Sequence, residues 1–345
     1  MQVSRTRMFL RSKVFQLVVL SAIVFAITTI TNPGWLNPFN MRRILDNTLI
    51  AGLFLCAVAP LLMSGVIDFS GTATAVLAQV AFVFIFEATG LPWGIVAVIA
   101  IIIGAVIGLI NAFFVVRLNL MAFIVTMAMG TVLGGIASWI SRNVITPLTA
   151  ASLNNLSTVW LFDIVPVFFV VFAVFIIAYS FILMKTTFGR SVLMCGGNQT
   201  AARLAGLNPN KIRAILFVNS GVIAAIVGII HAAQNRSANA SGGLVMSVPH
   251  MTAFIASILG GVSFFGGSGA LAGAFMGVLL IELLGFALLV MGLPVPLTDF
   301  INGTLLLVAL SIDQISLSLR MKKLGHKPSG GGGGGAVMPG TAQQR

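Results

Sequence analysis

Acidic residues are scarce in this chain, with seven Asp and Glu among 345 residues. Charged residues of all kinds make up 8%, about a third of the share in a soluble domain. So few charges cannot cover the surface of a soluble globule, which excludes a soluble enzyme. Two cysteines, Cys56 and Cys195, give neither a framework of paired cysteines nor metal-ligand spacing. The three histidines (His231, His250, His326) are scattered, no H-E-x-x-H is present, and no metal site is expected. No lysine follows a glycine, so the phosphate cradle G-x-x-x-x-G-K-[ST] is absent and the chain is not itself an ATPase. Paired intramembrane carboxylates, as in proton pumps, are nearly missing too. Glu282 is the one acid deep in an apolar run. Such a residue is a functional candidate by default, or else a neutral helix-packing group.

What the chain has instead is hydrophobicity. Apolar residues make up 58%, and the mean hydropathy is +1.09. These values exclude intrinsic disorder. The apolar runs are long and unbroken, unlike the alternating ten-residue strands of a membrane barrel. The fold class expected is an all-α polytopic membrane protein. On a length rule of about 20 apolar residues per crossing, ten spans are expected, near 14–30, 48–63, 73–88, 93–116, 122–140, 164–184, 212–233, 250–265, 269–290 and 299–318. The first follows Arg5, Arg7, Arg11 and Lys13 like the start of a signal peptide. Its apolar run is long for one and no A-x-A site follows, so it is read as a retained helix. Residues 1–13 are expected to be a cytoplasmic segment and 14–320 the membrane domain. Residues 321–345, with six consecutive glycines at 330–335, are expected to be a disordered cytoplasmic tail.

The formal charge is +12, from 19 Lys and Arg. With the N-terminus inside and ten alternating spans, only Arg42, Arg43, Arg142 and Arg236 fall outside. The other basic residues fall inside, which fits the positive-inside rule. The excess of positive charge is thus a topology signal, and no nucleic-acid partner is expected.

Two glycine-rich turns echo each other: Gly65-Val66-Ile67-Asp68-Phe69-Ser70-Gly71 and Gly261-Val262-Ser263-Phe264-Phe265-Gly266-Gly267. Each lies between apolar spans, as an inverted-type internal repeat of a transporter would place them. A chance match between glycine-rich membrane segments is the alternative. The longest inside loop, 185–211, carries four basic residues and no acid. Asn198 can cap a short helix through Ala201, Ala202, Arg203 and Leu204, and Gly206 would end it. The small residues of that helix would let it dock into a partner's groove. The alternative is a helix lying on anionic lipid.

Thr186-Thr187-Phe188-Gly189-Arg190, then Gly196-Gly197-Asn198 and Ala201-Ala202-Arg203-Leu204 with Gly206, resemble the coupling region of ABC-importer permeases of the ribose and simple-sugar type. Further matches fall in order. Ser64-Gly65-Val66-Ile67-Asp68-Phe69-Ser70 is similar to that family's G-G-I-D-L-S, and Phe123-Ile124-Val125-Thr126 to its P-F-I-A-T-L. Ser220-Gly221, Gly228, Gly260-Gly261-Val262-Ser263, Gly266-Gly267-Ser268-Gly269 and Asn302-Gly303 follow. The chain departs from the family at Leu120-Met121-Ala122, at Gly134-Gly135 and at Val248-Pro249-His250, which stands where an acidic E-L-D is common.

The resemblance implies a permease subunit of the bacterial inner membrane, not an enzyme, with both termini cytoplasmic. It would bind no cofactor itself, while a separate ATPase subunit would use ATP and Mg. That ATPase would grip Gly196, Gly197, Asn198, Ala201, Ala202, Arg203, Leu204 and Gly206. A second permease, identical or not, would complete the path. A periplasmic binding protein would deliver a neutral solute, a monosaccharide or related polyol, to loops 31–47, 141–163 and 234–249. Candidate path residues are Asp68, Ser70, Asn111, Phe123, Thr126 and Asn302; each polar one reads equally as a helix-packing hydrogen bond. A secondary transporter with an inverted repeat is the competing reading, and it would need an ion site for which acids are scarce.

Overall fold

The computed structural model describes residues 13–151, 153, 155, 159–161, 165–240, 243–294, 296–297, 300–301, 303–308, 310–311 and 314. The chain runs through α1 (Lys13–Thr31), α2 (Pro38–Met63), α3 (Gly71–Thr89), α4 (Trp93–Ala112), α5 (Ala122–Ser141) and α6 (Val167–Lys185). Two short helices follow, α7 (Thr187–Gly197) and α8 (Gln199–Leu204). Then come α9 (Pro209–Asn235), α10 (Gly243–Leu259) and α11 (Leu271–Val290). Eight helices are long and apolar enough to cross a membrane, and Val248–Leu259 of α10 is a shorter apolar stretch. Together they occupy nine of the ten expected spans. The tenth, 299–318, is described only in part, and 1–12 and 321–345 lie outside the described residues. The protein is an all-α polytopic membrane protein.

Three boundaries differ from expectation, each for a local reason. α2 begins ten residues before the apolar run, because Asn37 caps it by accepting from the Asn40 N–H at 2.9 Å and Pro38 supplies the fixed φ of a first helical residue. α10 stops at Leu259, where Gly260 and Gly261 close it. The 185–211 loop is two helices rather than one, separated at Asn198.

Lipid supplies no hydrophobic force between helices, so packing depends on close approach through small residues. α9 is the hub of that packing. A Cβ on Gly104 or Gly108 of α4 would overlap the Gly221 or Phe217 carbonyl of α9, and one on Gly228 would overlap the Ala75 carbonyl of α3. α2 is buried without interruption from Thr48 to Met63, while α1, α5 and α6 leave most of their surface outward. Pro60 sits inside α2 and has no N–H to give the Cys56 carbonyl one turn earlier. Asn219 of α9 supplies the missing donor at 3.3 Å, and the Tyr179 hydroxyl of α6 donates to the Asn219 side-chain oxygen.

The connections sort onto two faces. Residues 64–70, 186–208 and 260–270 share one. On the other, Arg142 and Arg236 close α5 and α9 in left-handed conformations (φ 52° and 50°). Four two-residue strands lie beyond them, which the sequence does not signal: β1 (Thr146–Pro147), β2 (Trp160–Leu161), β3 (Val165–Pro166) and β4 (Ser237–Ala238). β1 pairs antiparallel with β4, and β2 with β3. Arg42 lies 4.2 Å above the Trp160 ring, tying the start of α2 to this layer.

The glycine echo is structural. The Gly65 N–H donates to Leu62 and the Val66 N–H to Leu61; the Gly261 N–H donates to Ile258 and the Val262 N–H to Ser257. Both are Schellman closures with glycine at positive φ (76° and 97°). The helices they close lie side by side in matched register, with the Phe54 and His250 rings 4.9 Å apart. Both therefore end on the same face. The echo relates two hairpins of the same sense, so these turns are not partners in an inverted repeat.

Removing the Asn219 donor tests the proline compensation. Asn219→Ala is expected to cost about 1–3 kcal/mol by stranding the Cys56 carbonyl. In a Pro60→Ala background, whose new N–H serves that carbonyl, the cost falls by about 1 kcal/mol. Thermal unfolding of the four purified proteins in detergent measures the cycle; strictly additive losses would refute it.

Candidate functional site

Four of the six candidate path residues meet at the break between α2 and α3. Asp68 accepts from the Ser70 N–H at 2.8 Å and the Ser70 hydroxyl at 2.6 Å through one carboxylate oxygen. Its other oxygen accepts from the Ser220 hydroxyl of α9 at 2.7 Å. An Asp accepting from the N–H two residues on is a turn-forming device. Asn111 of α4 donates to the Ser70 hydroxyl at 2.8 Å. Thr126 of α5 accepts from the Phe69 N–H at 3.0 Å while donating to Ala122 at 2.8 Å. Asp68, Ser70, Asn111, Thr126 and Ser220 are all at most 3% exposed. The cluster thus satisfies irregular backbone held inside a bundle, the condition under which such backbone survives at membrane depth.

Phe123 is half exposed, its ring edge against Phe69 at 5.4 Å. Asn302 lies outside the described residues. Glu282 of α11 faces Asn47 of α2, apart from this cluster. A cleft of about 630 Å³ lies between α1, α6 and α11, but its lining of Phe169, Phe172, Phe275 and similar side chains includes none of the candidates.

One buried atom at the break has no partner. The Asn111 side-chain oxygen makes no hydrogen bond among the described residues. The neighbouring His250 packs between Phe54 and Phe254, ring centroids 4.9 and 5.2 Å away. A Cβ on Gly71 would meet its Nε2 at 2.8 Å.

The expected coupling residues divide into two groups. Asn198 caps α8 by accepting from the Ala201 N–H at 3.0 Å, and Gly206 closes it at φ 79° with nothing within 4 Å of a Cβ. Arg203 is exposed and Leu204 is 86% exposed, while Ala202 is fully buried. Gly196 is partly exposed but packs on neighbouring backbone. A Cβ there would overlap the Met63 carbonyl and approach the Gly267 N–H at 2.7 Å, and Gly267 donates to Met63 at 2.9 Å. A Cβ on Gly266 would in turn meet Gly65 at 2.9 Å. The two echoing turns and the end of α7 therefore lock together on bare backbone.

Sequence reasoning passed over Ser220, Asn219 and Tyr179 as donors. Ser220 and Asp68 are 152 residues apart, and no local pattern links them. The Pro60 inside an apolar span was the available signal for Asn219, because its missing N–H requires a substitute donor.

Gly196→Ala is expected to lower the apparent melting temperature of the purified chain by roughly 8 °C or more. Gly135→Ala, in open space, should not lower it. An unchanged melting point for Gly196→Ala would show that the backbone lock is not tight.

The sequence profile of the family described as branched-chain amino acid transport system / permease component matches residues 45–310. A probable ABC transporter permease protein, YphD of Escherichia coli (strain K12), is 30% identical over 312 residues, covering 89% of this chain and 91% of that one. The L-arabinose ABC transporter permease protein AraH of Azospirillum brasilense is 30% identical, covering 88% and 90%. The ribose import permease protein RbsC of Haemophilus influenzae is 29% identical, covering 77% and 82%. No solved structure matches the chain significantly. With eight helices among the described residues long and apolar enough to cross a membrane and a profile match over most of its length, the chain belongs to this family of ABC-transporter permeases, as a permease subunit whose ATPase is a separate subunit.

Proposed function

We propose that the chain is one wall of the translocation path of an ATP-driven, binding-protein-dependent importer of a neutral sugar or related polyol. It would lie in a bacterial inner membrane, with residues 1–13 and the glycine-rich 321–345 in the cytoplasm. The distribution of basic residues supports that orientation. The observation that carries the functional reading is α8. It is a capped helix of six residues on the face shared by the glycine turns, offering Arg203 and Leu204 outward. An apolar side chain 86% exposed on the end of a polar loop is suited to a groove in a partner. The proposed occupant is the ATPase subunit, which would bind ATP and Mg. A second permease would supply the facing wall, and a periplasmic binding protein would dock on the far face, around the strand layer of residues 146–166 and 237–238.

The sugar reading draws on relatives whose names specify L-arabinose and ribose. The path residues proposed are Asp68, Ser70, Asn111, Phe123, Thr126 and Asn302. The free Asn111 oxygen is an acceptor suited to a hydroxyl, and Phe123 offers a flat apolar ring. No cation is needed for such a solute, in keeping with the shortage of membrane acids.

Replacing both exposed side chains, Arg203→Glu with Leu204→Glu, is expected to cut uptake from a panel of radiolabelled pentoses, hexoses and sugar alcohols roughly tenfold or more. The amount of permease in the membrane should not change, because neither side chain is packed. Undiminished uptake would overturn the docking assignment. Uptake that survives ATP depletion and collapses with an uncoupler would overturn the ATP-driven reading.

A further inference from the structure

Arg213, in the first turns of α9, engages two elements at once. Its Nη2 donates to the Ser64 carbonyl at 3.1 Å, the group that caps the C-terminal end of α2. That end carries the negative pole of the helix dipole. On its other side lies Gln199, the first residue of α8. With the Gln199 amide oriented so that acceptor faces donors, its oxygen accepts from Nη2 at 2.6 Å and Nη1 at 2.9 Å. A Cβ on Gly65 would stand 3.7 Å from Nη2, so the guanidinium lies directly against the glycine turn. Nε makes no hydrogen bond among the described residues, so the grip is made through the two terminal nitrogens. Seven residues further along α9, which is about two turns, Ser220 holds Asp68. One helix thus grips the broken segment near both its ends, with the first grip shared by α8.

We propose that Arg213 is the positioning residue that transmits displacement of α8 to the 64–70 break, and so links ATPase docking to the path wall. This rests on the reading of α8 as the ATPase-docking helix. The geometry favours arginine over lysine. A planar fork can hold a carbonyl and an amide oxygen at fixed angles, whereas an ammonium is a point charge on a flexible stem. Gln199 is exposed, so the link can be cut at that end without disturbing the core.

The test uses the complete transporter in proteoliposomes, with its ATPase and binding protein, and reads sugar moved per ATP hydrolysed. Arg213→Gln and Gln199→Leu are each expected to lower that ratio about fivefold or more. The double variant should be no worse than Arg213→Gln alone, because both cut one link. Arg213→Lys should fail to restore the ratio, although it keeps the charge. A merely structural role would instead lower melting temperature and yield while leaving the ratio intact. If Arg213→Gln cannot be purified, Gln199→Leu decides alone, and a wild-type ratio overturns the proposal. Losses that multiply in the double variant, or full rescue by lysine, also overturn it. Absence of any ATP-dependent uptake by the unmodified complex would instead sink the docking reading beneath it, an outcome visible before any variant is compared.

Discussion

The structure depends on one constraint: the backbone between α2 and α3 leaves helical geometry while buried in the bundle, so its polar groups must find partners within the protein. Three helices around the break contribute to meeting that need. α5 gives Thr126 to the Phe69 N–H. α4 steadies Ser70 through Asn111, and α9 holds the turn-forming Asp68 through Ser220. Because these hydrogen-bond partners sit on three different helices, the break fixes the bundle's arrangement as much as the bundle permits the break. α9 can serve this way only because Gly221 and Gly228 let it approach α4 and α3 at backbone distance.

The two short helices between Thr187 and Leu204 show how one stretch can be both rigid and available. α7 ends at Gly197, with Gly196 pressed against Met63 and Gly267 and Cys195 fully buried beside it. One residue later, past Asn198, α8 begins and turns Arg203 and Leu204 outward. A docking element on a flexible loop would absorb a partner's push. Here the loop's root is fixed to the ends of α2 and α10, so displacement of α8 has a defined place to go.

Much of this was legible in the residues. Spans in lipid must be long and apolar, which is why nine helices lie where the hydropathy places them. Asn198 and Gly206 declared the ends of α8 because capping chemistry is local. The glycine echo also marked a true feature, two Schellman closures of matched form. Its sense was not legible, because glycine placement records a turn and not the direction of the helices entering it. Glycine at 196 reads alike whether it faces solvent or the Met63 carbonyl. The partners of Asp68 and Cys56 come from α9, more than 150 residues away, and single-sequence patterns carry no such distance.

The Gly267-to-Met63 hydrogen bond also has a consequence in time. Its donor is made roughly 200 residues after its acceptor, which at ordinary rates of synthesis is a delay of about 10–40 s. Throughout that interval the turn after α2 lacks this lock, and α7, once made, has only the Met63 side of its seat to close against. A ribosomal stall just after α9 would leave a species in which α7 and α8 are complete and the Gly267 half of the seat is still missing.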